Sequence, residues 1–186
     1  LYMFEEVCKL IERWHKAGRK IIPISVNLSR SHFEIPNFFD YYEYVLKKYD
    51  IPPRSIEIEL TESLFYNDMK SLSVLVSQIH HAGLSCSIDD FGSGYSSFNT
   101  LKDMDVDVLK IDMGFLRTTK PEHLERSMTI LNMIISLSKM LGLSVITEGV
   151  ETQEQVVKLS QMGCRIYQGY YFSKPIPVSE FEERYM

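Results

Sequence analysis

Long apolar runs, a cysteine framework and an excess of either charge are all missing from this sequence, and each absence closes off a class of protein. No stretch approaches the roughly 20 consecutive apolar residues that span a bilayer, and no leader-like pattern opens the chain. Cys8, Cys86 and Cys164 are odd in number, far apart and without metal-ligand spacing. That excludes a disulfide scaffold and a thiolate zinc site, and the three read as reduced structural thiols. Lys and Arg number 20 against 25 Asp and Glu, a net charge of −5 with the signs interspersed, so no surface for a nucleic-acid polymer is expected. A small phosphorylated ligand held by a metal remains open. Low-complexity linkers are absent too. The expectation is one soluble, cytoplasmic domain over residues 1–186 with no membrane contact of its own, whether or not a longer parent is membrane-anchored.

What is present is a rhythm of alternating elements. Residues 1–17 read as a complete amphipathic helix, with Phe4, Val7, Leu10, Ile11 and Trp14 at helical spacing and Gly18 as its stop. Strands are expected at Lys20–Leu28, Ser55–Thr61, Leu84–Asp89, Val108–Asp112, Leu143–Thr147 and Arg165–Tyr170. Helices are expected at Phe38–Tyr49, Asp68–Ala82, Glu122–Leu141 and Gln153–Met162, with shorter pieces after Ser97 and Val178. Such alternation calls for parallel strands joined by crossover helices, in an open sheet or a closed barrel.

The polar residues separate the two. Ile56, Ile58 and Leu60 take one face of their strand while Glu57 and Glu59 take the other, and Lys110 shares a face with Asp112. An open sheet covered on both sides wants apolar residues on both faces, whereas a barrel can line the upper part of its inside with polar groups. The expected fold is α/β, a modified TIM (β/α)8-type barrel, with an open sheet as the alternative. A full barrel has eight strands and about 250 residues. Six strands are legible, and Leu1 is not an initiator methionine. An incomplete barrel lacking its N-terminal β/α portion is therefore expected.

Every strand ends in a polar residue: Asn27, Glu59 with Glu62 just beyond, Asp89 and Asp90, Lys110 and Asp112, Glu148, and Gln168. Each alone has an ordinary explanation as a cap, a first-turn acid or a solvated side chain. Together they mark one rim, where barrel enzymes keep their sites. Two adjacent acids after an apolar run are costly to desolvate unless a cation lies between them. Asn27, Glu59, Asp89 and Asp90 offer only oxygen ligands, which suit Mg²⁺ or Mn²⁺. None of the five histidines falls at a strand end. A lysine among acids can neutralise developing negative charge, so metal-assisted phosphoester hydrolysis is the expected chemistry, with two ions as an option.

The motifs Val26-Asn27-Leu28-Ser29, Glu59-Leu60-Thr61-Glu62, Asp89-Asp90-Phe91-Gly92-Ser93-Gly94-Tyr95-Ser96-Ser97, Leu109-Lys110-Ile111-Asp112, Glu148-Gly149-Val150-Glu151-Thr152 and Gln168-Gly169-Tyr170-Tyr171-Phe172 resemble the EAL-domain family. Its members are cyclic di-GMP phosphodiesterases built on a modified TIM barrel. The resemblance implies Asn27, Glu59 and Asp89 as ligands of a first ion, with Asp89 bridging to a second that Asp90 also binds. It implies Lys110 at the hydrolytic water and Glu148 as the acid opposite. Glu62 would anchor the loop after Asp90, Asp112 and Glu151 would support, and Gln168 with Gly92, Ser93 and Gly94 would lie by the substrate. The implied product is linear pGpG. Ser93 stands where threonine is commoner, a change expected to be tolerated.

The Glu-Ala-Leu motif that names the family is expected on a strand before Leu1. The parent is accordingly expected to be active, with room for an upstream GGDEF or sensor domain, and residues 1–186 alone weak or inactive. A degenerate receptor that binds without cleaving is one alternative. A barrel glycosidase using Glu62 and Glu148 is another. The wide apolar stripe of Glu122–Leu141 fits either a deeply packed helix or a homodimer surface.

Overall fold

In the order that builds the sheet, the chain runs α1 (Tyr2–Lys16), β1 (Ile24–Asn27), α2 (Phe38–Lys48), β2 (Ile56–Thr61), α3 (Met69–His81), β3 (Ser85–Phe91), α4 (Phe98–Asp103), β4 (Val108–Ile111), α5 (Pro121–Met140), β5 (Ser144–Thr147), α6 (Gln153–Gln161), β6 (Ile166–Tyr167) and α7 (Val178–Tyr185). This computed structural model describes residues 1–62, 64, 69–93, 98–116 and 121–186, with the side chains at 33, 34, 98–100, 113 and 121–123 left out. Gly94, Tyr95, Ser96 and Ser97 of the loop motif lie outside the described residues.

The six strands pair in chain order, β1-β2-β3-β4-β5-β6, and every pair is parallel. A doubly wound sheet would reverse its order at a switch point. Here each strand adds to the same growing edge, so the sheet curves as part of a barrel wall, and the open-sheet alternative is set aside. Among the described residues β1 and β6 form the two edges. Both are shorter than expected. β1 starts only after Pro23, which has no N–H to give a ladder, and β6 has only one neighbour to pair with.

Alternation along β2 sends Ile56, Ile58 and Leu60 to the helix layer, where all three are buried. There they join Phe4, Val7, Cys8 and Ile11 of α1 and Leu72, Val76 and Ile79 of α3 in one hydrophobic core. The α1 residues recur three and four apart, one stripe of a helix turned inward. Gly18 and Arg19 then donate back to the His15 and Trp14 carbonyls at 2.9 and 3.0 Å, ending the helix. No residue of α7 is buried. It is held to α1 by Glu182, which accepts from Trp14 Nε1 at 2.7 Å and from Arg13 at 2.6 Å. The three cysteines are free and buried, and no described helix is long and apolar enough to cross a membrane.

Candidate active site

Parallel pairing aligns the strand ends. Asn27 stands opposite Glu59, and Thr61 opposite Asp89. Backbone bonds extend this alignment beyond the strands: Glu148 N–H donates to Ile111 O at 3.0 Å and Gln168 N–H to Thr147 O at 2.9 Å. Asn27, Glu59, Asp89, Lys110, Glu148 and Gln168 consequently line a single cavity of about 730 Å³, bounded on its outer side by apolar residues of α1 and α7.

Lys110 is the hub. Its Nζ lies 2.5 Å from Glu59 Oε1, 2.7 Å from Glu148 Oε1 and 3.1 Å from Asp89 Oδ1, and the residue is only 3% exposed. Burial alone would pull the ammonium pKa down, but hydrogen bonds to Glu148 and Glu59 hold it above its ordinary value, so it stays charged. The carboxylates move the other way. Burial, and then the neighbouring Asp89, push Asp90 up, and burial pushes up Glu148. Glu57, one step deeper on the Glu59 face and 3.3 Å from Ser25 Oγ, is raised by burial as well.

The β3 to β4 register breaks where the two acids lie. Ile88 pairs with Leu109 and Phe91 with Ile111, so Asp89 and Asp90 together face Lys110 alone. This is a β-bulge, and Asp90 takes its left-handed conformation at φ 56°. One oxygen each of Asp89, Asp90 and Glu148 lie within 4.8 Å of one another. At that spacing two carboxylate charges repel by roughly 3 kcal/mol at an effective dielectric of about 20. With Glu59 counted, four carboxylates meet a single ammonium among the described residues. The oxygen-only donor set and its uncompensated charge fit a hard divalent cation.

The remaining residues stand around this group. Glu62, buried, accepts the Gly92 N–H at 3.2 Å and does not line the cavity, so the carboxylate pair required by the glycosidase reading is not assembled there. Asp112 N–H donates to Phe91 O, and its Oδ1 accepts Gly114 N–H at 2.7 Å, capping the short 3-10 turn Met113–Phe115. Gly92 and Ser93 form the turn behind Asp90, outside the cavity lining. Glu151 lies with Glu148 and Gln168 along an adjoining cavity of about 620 Å³. Its loop is pinned by a capping box: Gln155 Oε1 accepts the Glu151 and Thr152 N–H groups, and Thr152 Oγ1 accepts Gln155 N–H. Gly169 fits against the Val150 backbone so closely that a Cβ would overlap it. The bulge and the packing of Phe115 on Gly92 were not legible in the sequence, since neither leaves a periodic signal.

Comparison with known proteins adds the lineage. The EAL domain family matches residues 1–175. The signaling protein YkoW of Bacillus subtilis is 35% identical over 182 residues, covering 98% of this chain and 22% of YkoW. The cyclic di-GMP phosphodiesterase NbdA of Pseudomonas aeruginosa is 31% identical over 182 residues, covering 98% of this chain and 23% of NbdA. The chain thus spans about a quarter of the length of these relatives. The solved structure of the PaMucR phosphodiesterase in complex with c-di-GMP superposes with a TM-score of 0.87 at 32% identity, over 97% of this chain and 72% of that one. The EAL domain of Mycobacterium smegmatis DcpA superposes at 0.85 with 31% identity, over 96% of this chain and 80% of that one. A family match over nearly the whole length, on a parallel barrel wall with its acids gathered at one rim, means that this chain belongs to the EAL domain family.

Proposed function

We propose that the chain carries the catalytic rim of a bacterial phosphodiesterase that opens cyclic di-GMP to linear pGpG, with Mg²⁺ or Mn²⁺ as cofactor. The observation that carries this reading is the Lys110 ammonium bound to Glu59, Asp89 and Glu148 while the bulge brings Asp90 alongside. Relatives whose names state that activity, and the PaMucR complex with c-di-GMP, support the choice of substrate. Asn27, Glu59 and Asp89 would hold a first ion, and Asp89 with Asp90 a second. When bound, such ions supply the charge that acidifies the attacking water and neutralises the phosphodiester.

The chain's own groups do the rest. Lys110, its ammonium pKa held above the ordinary value by hydrogen bonds to Glu148 and Glu59, would orient the water and balance the developing phosphorane charge. Glu148, which accepts from the Lys110 ammonium at 2.7 Å, would take the water proton. The new P–O bond forms as one P–O3′ bond breaks, and the released O3′ takes up a proton, leaving a 5′-phosphate on pGpG. Glu62, which accepts the Gly92 N–H, would anchor the loop after Asp90; Gly92 and Ser93 of that loop and Gln168 would meet the substrate, with Asp112 and Glu151 in support. Among the described residues β1 and β6 are each paired on one side only, which leaves the rim open between them, and we infer weak turnover by residues 1–186 alone.

Incubation with cyclic di-GMP and Mn²⁺, followed by chromatography, tests the reading. It predicts pGpG that disappears with EDTA and in Lys110→Ala. Binding without cleavage would return the receptor alternative, and neither binding nor cleavage would sink both. Buried free thiols support a reducing, cytoplasmic setting. Exposed Ile130, Met133 and Met140 on α5 support a homodimer, for which light scattering across a concentration series should show a doubled mass.

A further inference from the structure

Gly92 follows the bulge and is held from two sides. Its N–H donates to Glu62 Oε2, and its φ of 96° lies where side chains are rarely found. Ser93 N–H closes back on Asp90 O at 3.0 Å, so Asp90 to Ser93 form a turn whose third residue needs that positive φ. Against the other side of Gly92 lies the ring of Phe115, so near that a Cβ at position 92 would overlap its Cε2 and Cζ. Phe115 ends the 3-10 turn that Asp112 caps, and Asp112 N–H donates to Phe91 O at 3.1 Å. The segment from 110 to 115 therefore carries both the ammonium that binds the acids and the ring that packs behind them.

Asp90 is exposed, and among the described residues no cation forms an ion pair with it. Its direction has to come from the backbone. That backbone is fixed at 91 by Asp112 and at 92 by Glu62 and Phe115, and glycine is the residue with most freedom to swing if one support goes.

We propose that Phe115 is a positioning residue for the metal centre: its ring, pressed on Gly92, fixes the Asp90–Ser93 turn and so keeps the Asp90 carboxylate beside Asp89 and Glu148. The activity readout rests on the phosphodiesterase reading above; the metal readout does not. Mn²⁺ is titrated into the unaltered chain, Phe115→Ala, Phe115→Leu, Gly92→Ala and the Phe115→Ala/Gly92→Ala pair, with free Mn²⁺ followed by electron paramagnetic resonance beside cyclic di-GMP turnover and thermal unfolding.

Phe115→Ala should weaken Mn²⁺ binding and lower kcat by about tenfold or more, the scale of an outer support to a metal site, with KM largely kept. Phe115→Leu, which refills most of the space, should recover most of both. Gly92→Ala should show the same signature, and the double variant should lose less than the sum of the two single losses, because both act at one contact. If Phe115→Ala does not fold, Phe115→Leu and Gly92→Ala decide by the same titration. Phe115→Ala that melts earlier yet binds Mn²⁺ like the unaltered chain overturns the proposal, as do strictly additive effects. If the unaltered chain binds Mn²⁺ but never cleaves cyclic di-GMP, the phosphodiesterase reading fails while the titration still decides Phe115. An unaltered chain that binds no Mn²⁺ overturns both.

Discussion

Asp89 and Asp90 are consecutive residues of one strand, yet their carboxylates converge, each with an oxygen within 4.8 Å of the other and of Glu148. A regular strand would send them to opposite faces. The bulge removes that alternation at the cost of a left-handed Asp90, a conformation that Asp and Asn tolerate better than most residues.

Asp90→Asn should therefore have opposite effects with and without metal. Asparagine keeps the backbone and removes one of the crowded charges. In EDTA it should stabilise the chain by about 1 kcal/mol, a melting rise of about 2–4 °C for a domain of this size. Mn²⁺ should reverse the order, raising the melting temperature of the unaltered chain above that of the variant. A variant less stable than the unaltered chain in EDTA would show that charge crowding is not felt there.

Lys110→Met tests the hub. Removing the cation leaves Glu59, Asp89 and Glu148 facing one another without compensation. Loss of one partner from a buried ionic group costs about 3–5 kcal/mol. The urea midpoint in EDTA should fall accordingly, part of the loss should return with Mn²⁺, and pGpG formation should stop. An unchanged midpoint would mean that water screens these acids from one another.

Protons and metal compete for the same oxygens. Asp90 and Glu148 have raised pKa values, so between the ordinary carboxylate pKa and the raised one the folded chain holds protons that the unfolded chain has released. Their contribution to stability is present below that window and is lost as pH rises through it. A divalent cation needs these groups ionised, so the melting rise caused by Mn²⁺ should grow as pH rises above the ordinary carboxylate range. Taking the difference with and without Mn²⁺ cancels the oppositely shifted surface acids Glu12 and Glu182. A rise independent of pH would place Mn²⁺ elsewhere.

Gly169→Ala should act through backbone alone. Any Cβ there meets Val150, whose N–H and carbonyl bond Gln168 and Tyr171. Overpacking of this kind costs about 1–3 kcal/mol and would separate Glu148 from Gln168. Circular dichroism melts and the product assay should fall together; a silent variant would mean that the two loops slide apart freely.

The architecture was legible because period decides it. Ile56, Ile58 and Leu60 against Glu57 and Glu59 announced a strand with an apolar and a polar side, and the polar strand ends from Asn27 to Gln168 announced a rim. What escaped was whatever breaks period or comes from distant chain. Asp90 at φ 56° looks like any strand residue in sequence, and nothing local says that a ring twenty-odd positions later will lie on Gly92. The ends of β1 and β6 escaped for a related reason, since an edge strand stops where its neighbour's hydrogen bonds stop.

The bulge also makes the site a matter of counting. Between the Ile88 to Leu109 pair and the Phe91 to Ile111 pair, β3 spends two residues where β4 spends one. A chain shortened by one residue there would keep every strand and the same neighbours, and would look intact by spectroscopy. It would present one acid to Lys110 instead of two. Loss of the second aspartate thus needs no disruptive substitution, only a single-codon deletion that the sheet would accept.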